Sequence, residues 1–261
     1  MARKVNTKAL STKGERVARR IKSVDEANKF VKILVYGKNK KGKTRFAATG
    51  PECLIIDIDE EGTRSATGSG ADVLEVSQFD DVGHIFWWLK AGNHEYETVV
   101  LDTVTALQAA AMRKVLGESE DRDPTREVAT PDRRTYGRAN QLVKQLLLDF
   151  RNLKMHVIFL AQERDVKDDE DEESSTFHTV DLPPGTRATA LGSVGIIGRI
   201  YLREVKVKGQ KRPEWEARML VGPHEDYDSG NRVDGLPIIV RDPTMSKFIK
   251  AWAANPPDDE E

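Results

Sequence analysis

The sequence predicts an α/β fold, in which a mostly parallel, twisted sheet is flanked by helices and extended by a C-terminal antiparallel hairpin. Short apolar runs alternate with segments of helical periodicity, which is typical of a parallel sheet with crossover helices. Residues 199–207 and 214–221 alternate around a turn at 208–210, which predicts the hairpin. The parallel strands are predicted at residues 33–35, 53–58, 73–76, 98–102 and 155–160, and a last short strand at 238–240.

Helices are predicted between and after these strands. Apolar residues recur at helical spacing over residues 80–90, and this segment contains the adjacent residues Trp87 and Trp88. Both tryptophans are interpreted as packing residues, with base stacking as the alternative. The other predicted helices lie at residues 45–48, 104–116, 136–153, 187–197 and 243–254.

Polar and charged stretches divide the chain. Residues 25–254 are predicted to form the folded domain, between a basic N-terminal arm at 1–24 and an acidic tail at 255–261. The arm either solubilises the protein or contacts nucleic-acid phosphates or a neighbouring subunit. Inside the domain, the polar stretches at about 117–134 and 164–186 are too long for ordinary connections, so both are predicted to be mobile loops.

Composition restricts the classes of function. The chain has 261 residues and a net charge of −2, so it is not a globally basic nucleic-acid binder, and any DNA contact must come from local clusters. Its single cysteine, Cys53, cannot form a disulfide framework, and the histidines show no metal-ligand spacing. No apolar run reaches the roughly 18 residues of a membrane span, and the N-terminus lacks a signal-peptide pattern. We therefore expect a soluble, cytoplasmic protein.

The most informative motif is Gly37-x-x-x-x-Gly42-Lys43-Thr44, which lies between the first predicted strand and a helix. Its glycines let successive backbone N–H groups turn inward on a triphosphate, and the positive end of the helix points at the same phosphates. Lys43 would reach the β- and γ-phosphate oxygens, and the Thr44 hydroxyl would hold Mg²⁺. The motif therefore predicts ATP and Mg²⁺ as cofactors. The predicted phosphate-binding residues are Gly37, Lys38, Asn39, Lys40, Lys41, Gly42, Lys43, Thr44 and Arg45.

A second element of the same site is predicted at Asp102, which ends an apolar strand. Its carboxylate would lie beside the loop at the carboxyl edge of the sheet and hold Mg²⁺ through water, unless it only caps the following helix. The next residue is Thr103, so the carboxylate that orients the attacking water must come from elsewhere. Glu60, at the end of the neighbouring strand, is the first choice and Asp59 the second, with Glu61 beside them. The alternative is that these acids form a solvated turn.

A third strand end carries Gln162, in the strand that follows Asp102 along the chain. Because the carboxyl ends of parallel strands meet at one edge of a sheet, its amide is expected near the γ-phosphate. There it could distinguish ATP from ADP and signal the difference to the loop that follows. We therefore place Gln162 with Lys43, Glu60 and Asp59 among the catalytic candidates.

The order of these elements resembles that of RecA-core ATPases, and specifically of the small phage members of that superfamily that act in single-strand annealing and recombination. The resemblance covers roughly residues 31–222. It implies a RecA-like P-loop NTPase core, ATP hydrolysis and assembly as a ring or filament on single-stranded DNA, in the host cytoplasm and with a single-strand-binding protein as a further partner. The segments that carry it are residues 37–44, 56–60, 99–102 and 158–162, together with Ala190, Leu191 and Arg199.

Basic residues outside the loop supply candidates for two further roles that the resemblance implies. One role is contact with DNA phosphates, and the other is a cation that reaches the γ-phosphate of a neighbouring subunit. Each residue could equally be a plain surface charge. The DNA-contact candidates are Arg133, Arg134, Arg138 and Arg187. The candidates for the trans-acting cation are Arg199, Arg203, Lys206, Lys208 and Arg218.

The leading functional hypothesis is a Mg²⁺-dependent ATPase that acts with single-stranded DNA in phage-type recombination, annealing or replication. The first alternative is a P-loop ATPase switch or helicase loader that acts on a protein partner. A nucleotide kinase is a third hypothesis, although the sequence shows no Arg-rich insertion that could form a lid. A DNA-annealing module without catalysis is the fourth, and the intact Gly42-Lys43-Thr44 sequence argues against it.

Overall fold

A mostly parallel sheet of ten strands forms the centre of the molecule. The computed structural model describes residues 21, 29–58, 62–122, 131–166, 176–206 and 213–254. The strands are β1 (Lys32–Gly37), β2 (Cys53–Ile58), β3 (Asp72–Val76), β4 (Thr98–Asp102), β5 (His156–Val166), β6 (Phe177–Val180), β7 (Ile196–Val205), β8 (Glu214–Leu220), β9 (Gly230–Asn231) and β10 (Ile239–Arg241).

The strand order is β10-β8-β7-β1-β5-β4-β2-β3, with β6 paired to β5 and β9 to β7. All neighbours from β7 to β3 are parallel. On the other side of β7, β8 and β10 continue the sheet in antiparallel pairing. Together with the helices below, this arrangement confirms the predicted fold class, which is that of a P-loop NTPase core.

Helices cover both faces of the sheet because side chains alternate along each buried strand. Leu34 and Tyr36 of β1 belong to the core on one face, whereas Ile33 and Val35 belong to the core on the other. The helices are α1 (Lys43–Ala47), α2 (Phe79–Ala91), α3 (Val104–Arg122), α4 (Arg133–Arg151), α5 (Pro184–Gly192) and α6 (Met245–Ala253), with a short 3-10 helix at Gly62–Ala66. The α2 to α5 helices pack on the Tyr36 face, and α1 and α6 pack on the Val35 face. Within the described residues, no helix combines the length and the apolar character that crossing a bilayer requires.

Regular structure extends further than the sequence predicts into the two long polar stretches. The β5 strand runs to Val166 and pairs with β6, so a hairpin occupies part of 164–186. Three consecutive charged residues, Glu163, Arg164 and Asp165, end the apolar run from which β5 is predicted. In the first stretch, α3 continues to Arg122 and α4 begins at Arg133, where the Asp132 side chain accepts a hydrogen bond from the Thr135 backbone. Residues 123–130 and 167–175, the acidic tail and, except for residue 21, the N-terminal arm lie outside the described residues.

Two local predictions are wrong. The helix predicted over 187–197 is α5, which begins with proline at its first position and ends at Gly192, because Ile196 pairs with Ile33 of β1 and begins β7. Trp87 is not a packing residue, since 63% of its surface is exposed on α2. Trp88 is partly exposed, and its ring contacts those of His94 and Tyr96.

The C-terminal helix α6 completes the core beneath the loop helix α1. Phe248 is fully buried, and its ring meets that of Phe46 edge to face at 5.6 Å. The backbone N–H of Met245 donates to the Thr49 hydroxyl at 2.7 Å, just beyond α1. The position of α1 therefore depends on α6.

The substitution Phe248→Ala tests this dependence. It should lower the free energy of unfolding by about 3–5 kcal/mol, the usual cost of emptying a buried aromatic site. Ser246→Ala, on the exposed side of the same helix, is the control and should change stability by less than about 0.5 kcal/mol. Urea denaturation measures both variants, and equal stabilities would show that α6 is not part of the core.

Candidate active site

The loop between β1 and α1 follows a path that only glycine permits at two positions. A Cβ at Gly37 would lie 2.4 Å from the carbonyl oxygen of Ile200, so the loop leaves β1 in close contact with the β7 backbone. Gly42, directly before α1, has a φ of 98°, in the left-handed region that glycine adopts without strain. These two positions fix the loop between β7 and the start of α1.

The Lys43 ammonium is folded over this loop and is nearly buried, with 7% of the residue exposed. It donates to the carbonyl oxygens of Gly37 at 2.8 Å and Lys38 at 3.2 Å. Its third contact, at 2.9 Å, is the side-chain oxygen of Gln162 at the carboxyl side of β5. The first and third predicted elements of the site therefore meet at the Lys43 ammonium.

The second predicted element meets the loop at the next residue. The Thr44 hydroxyl donates to a carboxylate oxygen of Asp102 at 2.6 Å, and both side chains are buried. Asp57 of β2 is the direct neighbour of Asp102 in the parallel register and is also buried. Two carboxylates thus lie side by side beneath the loop, on the face of the sheet that α1 covers. A pair of buried acids beside a hydroxyl is a set of oxygen ligands that suits a divalent cation.

A cavity of about 500 Å³ opens above these contacts. Its size lies within the usual range for small-molecule and cofactor sites. Basic side chains of the loop and α1 surround it, while one carboxylate and one amide lie at its β4 and β5 side. Its lining consists of Asn39, Lys40, Lys41, Gly42, Lys43, Thr44, Arg45, Gly62, Ser65, Asp102, Gln162 and Leu202. This charge distribution fits a polyanion that carries a cation at one end.

Residues 29–233 match the family model described as an AAA domain. The chain belongs to this family of AAA-type P-loop ATPases. The matched segment runs from before β1 to beyond β9, so it contains every strand end and loop that forms the cavity. No curated protein matches the sequence. For an AAA-type ATPase, a nucleotide, usually with Mg²⁺, is the expected ligand of this cavity.

In the ATPase, Gln162 links the cavity to the hairpin of β5 and β6. Its backbone N–H donates to the Thr105 hydroxyl at 3.1 Å, and that hydroxyl donates to the carbonyl oxygen of Asp181 at 3.2 Å. The Asp181 N–H in turn donates to the Gln162 carbonyl oxygen at 2.9 Å. A displacement of Gln162 must therefore change contacts at the start of α3 and after β6. The sequence predicts that Gln162 signals the difference between ATP and ADP to the loop that follows. These hydrogen bonds would transmit that signal.

The residue after Gln162 belongs to a different cluster, on the opposite face of the sheet. Glu163 accepts two hydrogen bonds from Arg199, from Nε at 2.7 Å and from Nη2 at 3.2 Å, and the Glu163 side chain is 1% exposed. The Arg199 guanidinium also lies 4.2 Å from the centroid of the Tyr227 ring, which stacks on His178. Burial alone would lower the pKa of Arg199, but the hydrogen bonds and charge of Glu163 outweigh it and raise that pKa. The Arg199 side chain is thus held within its own chain.

The DNA-contact and trans-acting-cation candidates that the structure describes lie outside the cavity. Asp59, Glu60, Glu61 and Lys208 lie outside the described residues, so their roles stay predictions. The Arg218 guanidinium is paired with Glu216, and Arg203 and Lys206 are exposed on β7 and just after it. None of the described candidates for the trans-acting cation lines the cavity. Among the DNA-contact candidates, Arg133, Arg134 and Arg138 are exposed near the start of α4, and Arg187 is half-buried on α5.

Sequence reasoning missed roles for Asp57, Thr105 and Glu163. The sequence does contain a signal for Asp57, which is a lone carboxylate inside an apolar strand. The register places it beside Asp102 at the end of β4. Thr105 and Glu163 gave no such signal, since each is an ordinary polar residue in its local pattern.

The pair formed by Glu163 and Arg199 is predicted to be strongly coupled. Arg199→Met leaves a buried carboxylate without its cation and should cost about 3–5 kcal/mol of unfolding free energy. Glu163→Gln should also destabilise, because it leaves the guanidinium only partly compensated. The double variant removes both charges and should recover much of the loss. Urea denaturation of the four proteins measures the coupling, and purely additive costs would refute it.

Proposed function

We propose that this AAA-type protein hydrolyses ATP with Mg²⁺ and acts with single-stranded DNA in phage-type recombination, annealing or replication. The observation that carries the ATPase part is the meeting of three segments at one cavity. Thr44 reaches Asp102 of β4 at 2.6 Å, and Lys43 reaches Gln162 of β5 at 2.9 Å. These groups combine a phosphate-binding loop with a metal-binding carboxylate and a polar sensor. We also propose that several copies assemble on the DNA.

The residues at the cavity fit a magnesium–triphosphate group. Lys40, Lys41 and Arg45 supply positive charge at the rim, and the Lys43 ammonium lies within the loop. The Thr44 hydroxyl and the Asp102 carboxylate would hold Mg²⁺, either directly or through water. Held by these two side chains, Mg²⁺ would supply positive charge that offsets the negative charge developing during phosphoryl transfer.

The chain's own groups would position the reactants. In the structure, the Lys43 ammonium donates to carbonyl and amide oxygens, and a phosphate in the cavity would compete for the same protons. Loss of the Lys43 contact would change the hydrogen bonding of the Gln162 side chain, and this change would report on the ligand. We propose Glu60, or Asp59 beside it, as the carboxylate that orients the attacking water. Positioning and electrostatic stabilisation of this kind account for most of the catalysis in phosphoryl transfer.

A basic and aromatic surface supports the proposed contact with single-stranded DNA. Arg133, Arg134 and Tyr136 are exposed in the first turn of α4, and the exposed fraction of Tyr136 is 49%. Exposed cations beside an aromatic ring are the groups that bind phosphates and stack on unpaired bases. Arg138 is exposed nearby but forms an ion pair with Glu118 at 2.6 Å. We therefore assign the contact first to Arg133, Arg134 and Tyr136.

One observation favours the alternative of a protein partner. The edge strand β3 exposes two neighbouring apolar residues, Val73 and Leu74, at 41% and 39%. Exposed edge strands can pair with a strand of another protein. A switch or loader that binds a protein at this edge would not need DNA for its ATP turnover.

Steady-state ATP hydrolysis with and without single-stranded DNA tests the proposal. DNA should raise the ATP turnover of the full chain several-fold at low salt, because binding would assemble copies of the ATPase on the DNA. Lys43→Ala should abolish turnover in both conditions, since the loop loses its ammonium. The double variant Arg133→Ala/Arg134→Ala should lose most of the stimulation.

The matched control is Lys90→Ala/Lys154→Ala, which removes the same charge at the opposite edge of the sheet, where both lysines are exposed. This variant should keep the stimulation. Equal turnover with and without DNA in the wild type would contradict the DNA part of the proposal and favour the protein partner. Normal hydrolysis by Lys43→Ala would contradict the ATPase part.

A further inference from the structure

One face of the hairpin formed by β7 and β8 is directed towards the cavity. In the antiparallel register, Leu202 is opposite Ala217, and Glu204 is opposite Trp215. Residues that are directly opposite point to the same face, as do residues two apart along one strand. Leu202 and Trp215 are therefore diagonal neighbours on one face.

This face begins at the phosphate-binding loop itself. Ile200 belongs to the same side-chain row as Leu202, and its backbone oxygen is the atom that a Cβ at Gly37 would strike. The end of the Ile200 side chain would lie 3.9 Å from a Cβ at Gly42. Leu202, the next member of the row, lines the cavity. The row thus runs outward from the loop, past the cavity, towards Glu204 and Trp215.

The position of the other site groups gives the ligand a direction. Asp102 and Gln162 lie on β4 and β5, on one side of β1, whereas β7 and β8 lie on the other side. A triphosphate whose terminal phosphate faces Asp102 and Gln162 can extend its nucleoside across β1 towards β7 and β8. Among the described residues, Leu202 is the only cavity-lining group from that side of β1.

Trp215 is placed where the nucleoside would arrive. A strand rises about 3.4 Å per residue, so the pair of Glu204 and Trp215 lies about 7 Å beyond the pair of Leu202 and Ala217. The indole is 62% exposed, so the core does not account for its presence. Glu204 adds a negative charge beside it, which disfavours phosphate there and favours an uncharged group.

We infer that Leu202 and Trp215 form the platform on which the nucleobase of the bound nucleotide stacks. The inference rests on the proposed nucleotide site and adds to it the group that recognises the base. Leu202 supplies an apolar contact near the sugar end, and the Trp215 indole supplies the stacking surface. Because every base has a π-face, stacking alone tolerates different bases, and the larger purines gain the most contact.

Equilibrium binding of ATP and of inorganic tripolyphosphate, measured by calorimetry with Mg²⁺, tests the platform. Wild-type protein should bind ATP more tightly than tripolyphosphate, because only ATP carries a base. Trp215→Ala should weaken ATP binding by about 5- to 150-fold, the range that one base–aromatic stack is worth. The affinity for tripolyphosphate should stay unchanged, which a general loss of structure would not allow.

Two further variants sharpen the test. Trp215→Phe keeps an aromatic ring and should restore most of the ATP affinity. Trp87→Ala removes an indole of almost equal exposure, 63%, from the remote helix α2, and it should bind ATP as the wild type does. This comparison separates the platform from any general effect of losing a surface tryptophan.

The outcomes distinguish the platform from the nucleotide site beneath it. If Trp215→Ala keeps the wild-type ratio of ATP to tripolyphosphate affinity, the platform is overturned while the nucleotide site stands. If it loses affinity for both ligands equally, Trp215 does not act on the base and the platform is again overturned. If the wild type binds neither ligand, the nucleotide site and the platform fail together.

Discussion

The hydrogen bond from the Thr44 hydroxyl to the Asp102 carboxylate, 2.6 Å long and buried, is the contact on which the site depends. It joins the start of α1 to the end of β4 across the intervening strand β5. The contact depends on β1, β5 and β4 being parallel neighbours, because this register brings Asp102 level with Leu160 of β5 and Val35 of β1. The parallel order of the sheet is therefore what turns a glycine-rich loop and a strand-terminal acid into one site.

The two faces of β5 serve different parts of the molecule. Gln162 faces α1 and contacts the Lys43 ammonium, whereas the next residue, Glu163, faces the other core and holds Arg199 of β7. Because consecutive strand residues point to opposite faces, one backbone segment joins the cavity to the ion pair. A change of ligand at Lys43 would thus act on a strand that is anchored on its far side. The ion pair with Arg199 holds β5 in position beside the site. The hydrogen bonds through Thr105 connect a movement of Gln162 to the residues after β6.

The sequence predicts the parallel core and the chemistry of the loop because both depend on local patterns. Apolar runs mark the buried strands, and Gly42, Lys43 and Thr44 follow the first of them directly. The ion pair between Glu163 and Arg199 is not predictable in this way, since 36 positions separate two charges that resemble surface residues. The β5–β6 hairpin is not predictable either, because the charged residues at the end of β5 also resemble surface residues. The face that Trp215 shares with Leu202 emerges only from the register of β7 and β8, which the turn sequence does not determine.

The magnesium dependence of ATP binding by Asp102→Asn tests most directly whether this contact marks the metal site. The neutral amide can still accept the Thr44 proton, but it is a poorer ligand for a hard cation than a carboxylate is. We predict that Mg²⁺ strengthens ATP binding by the wild type and that the variant loses most of this gain while it still binds ATP in EDTA. A variant that kept the full gain from Mg²⁺ would show that Asp102 does not hold the metal and would contradict the account.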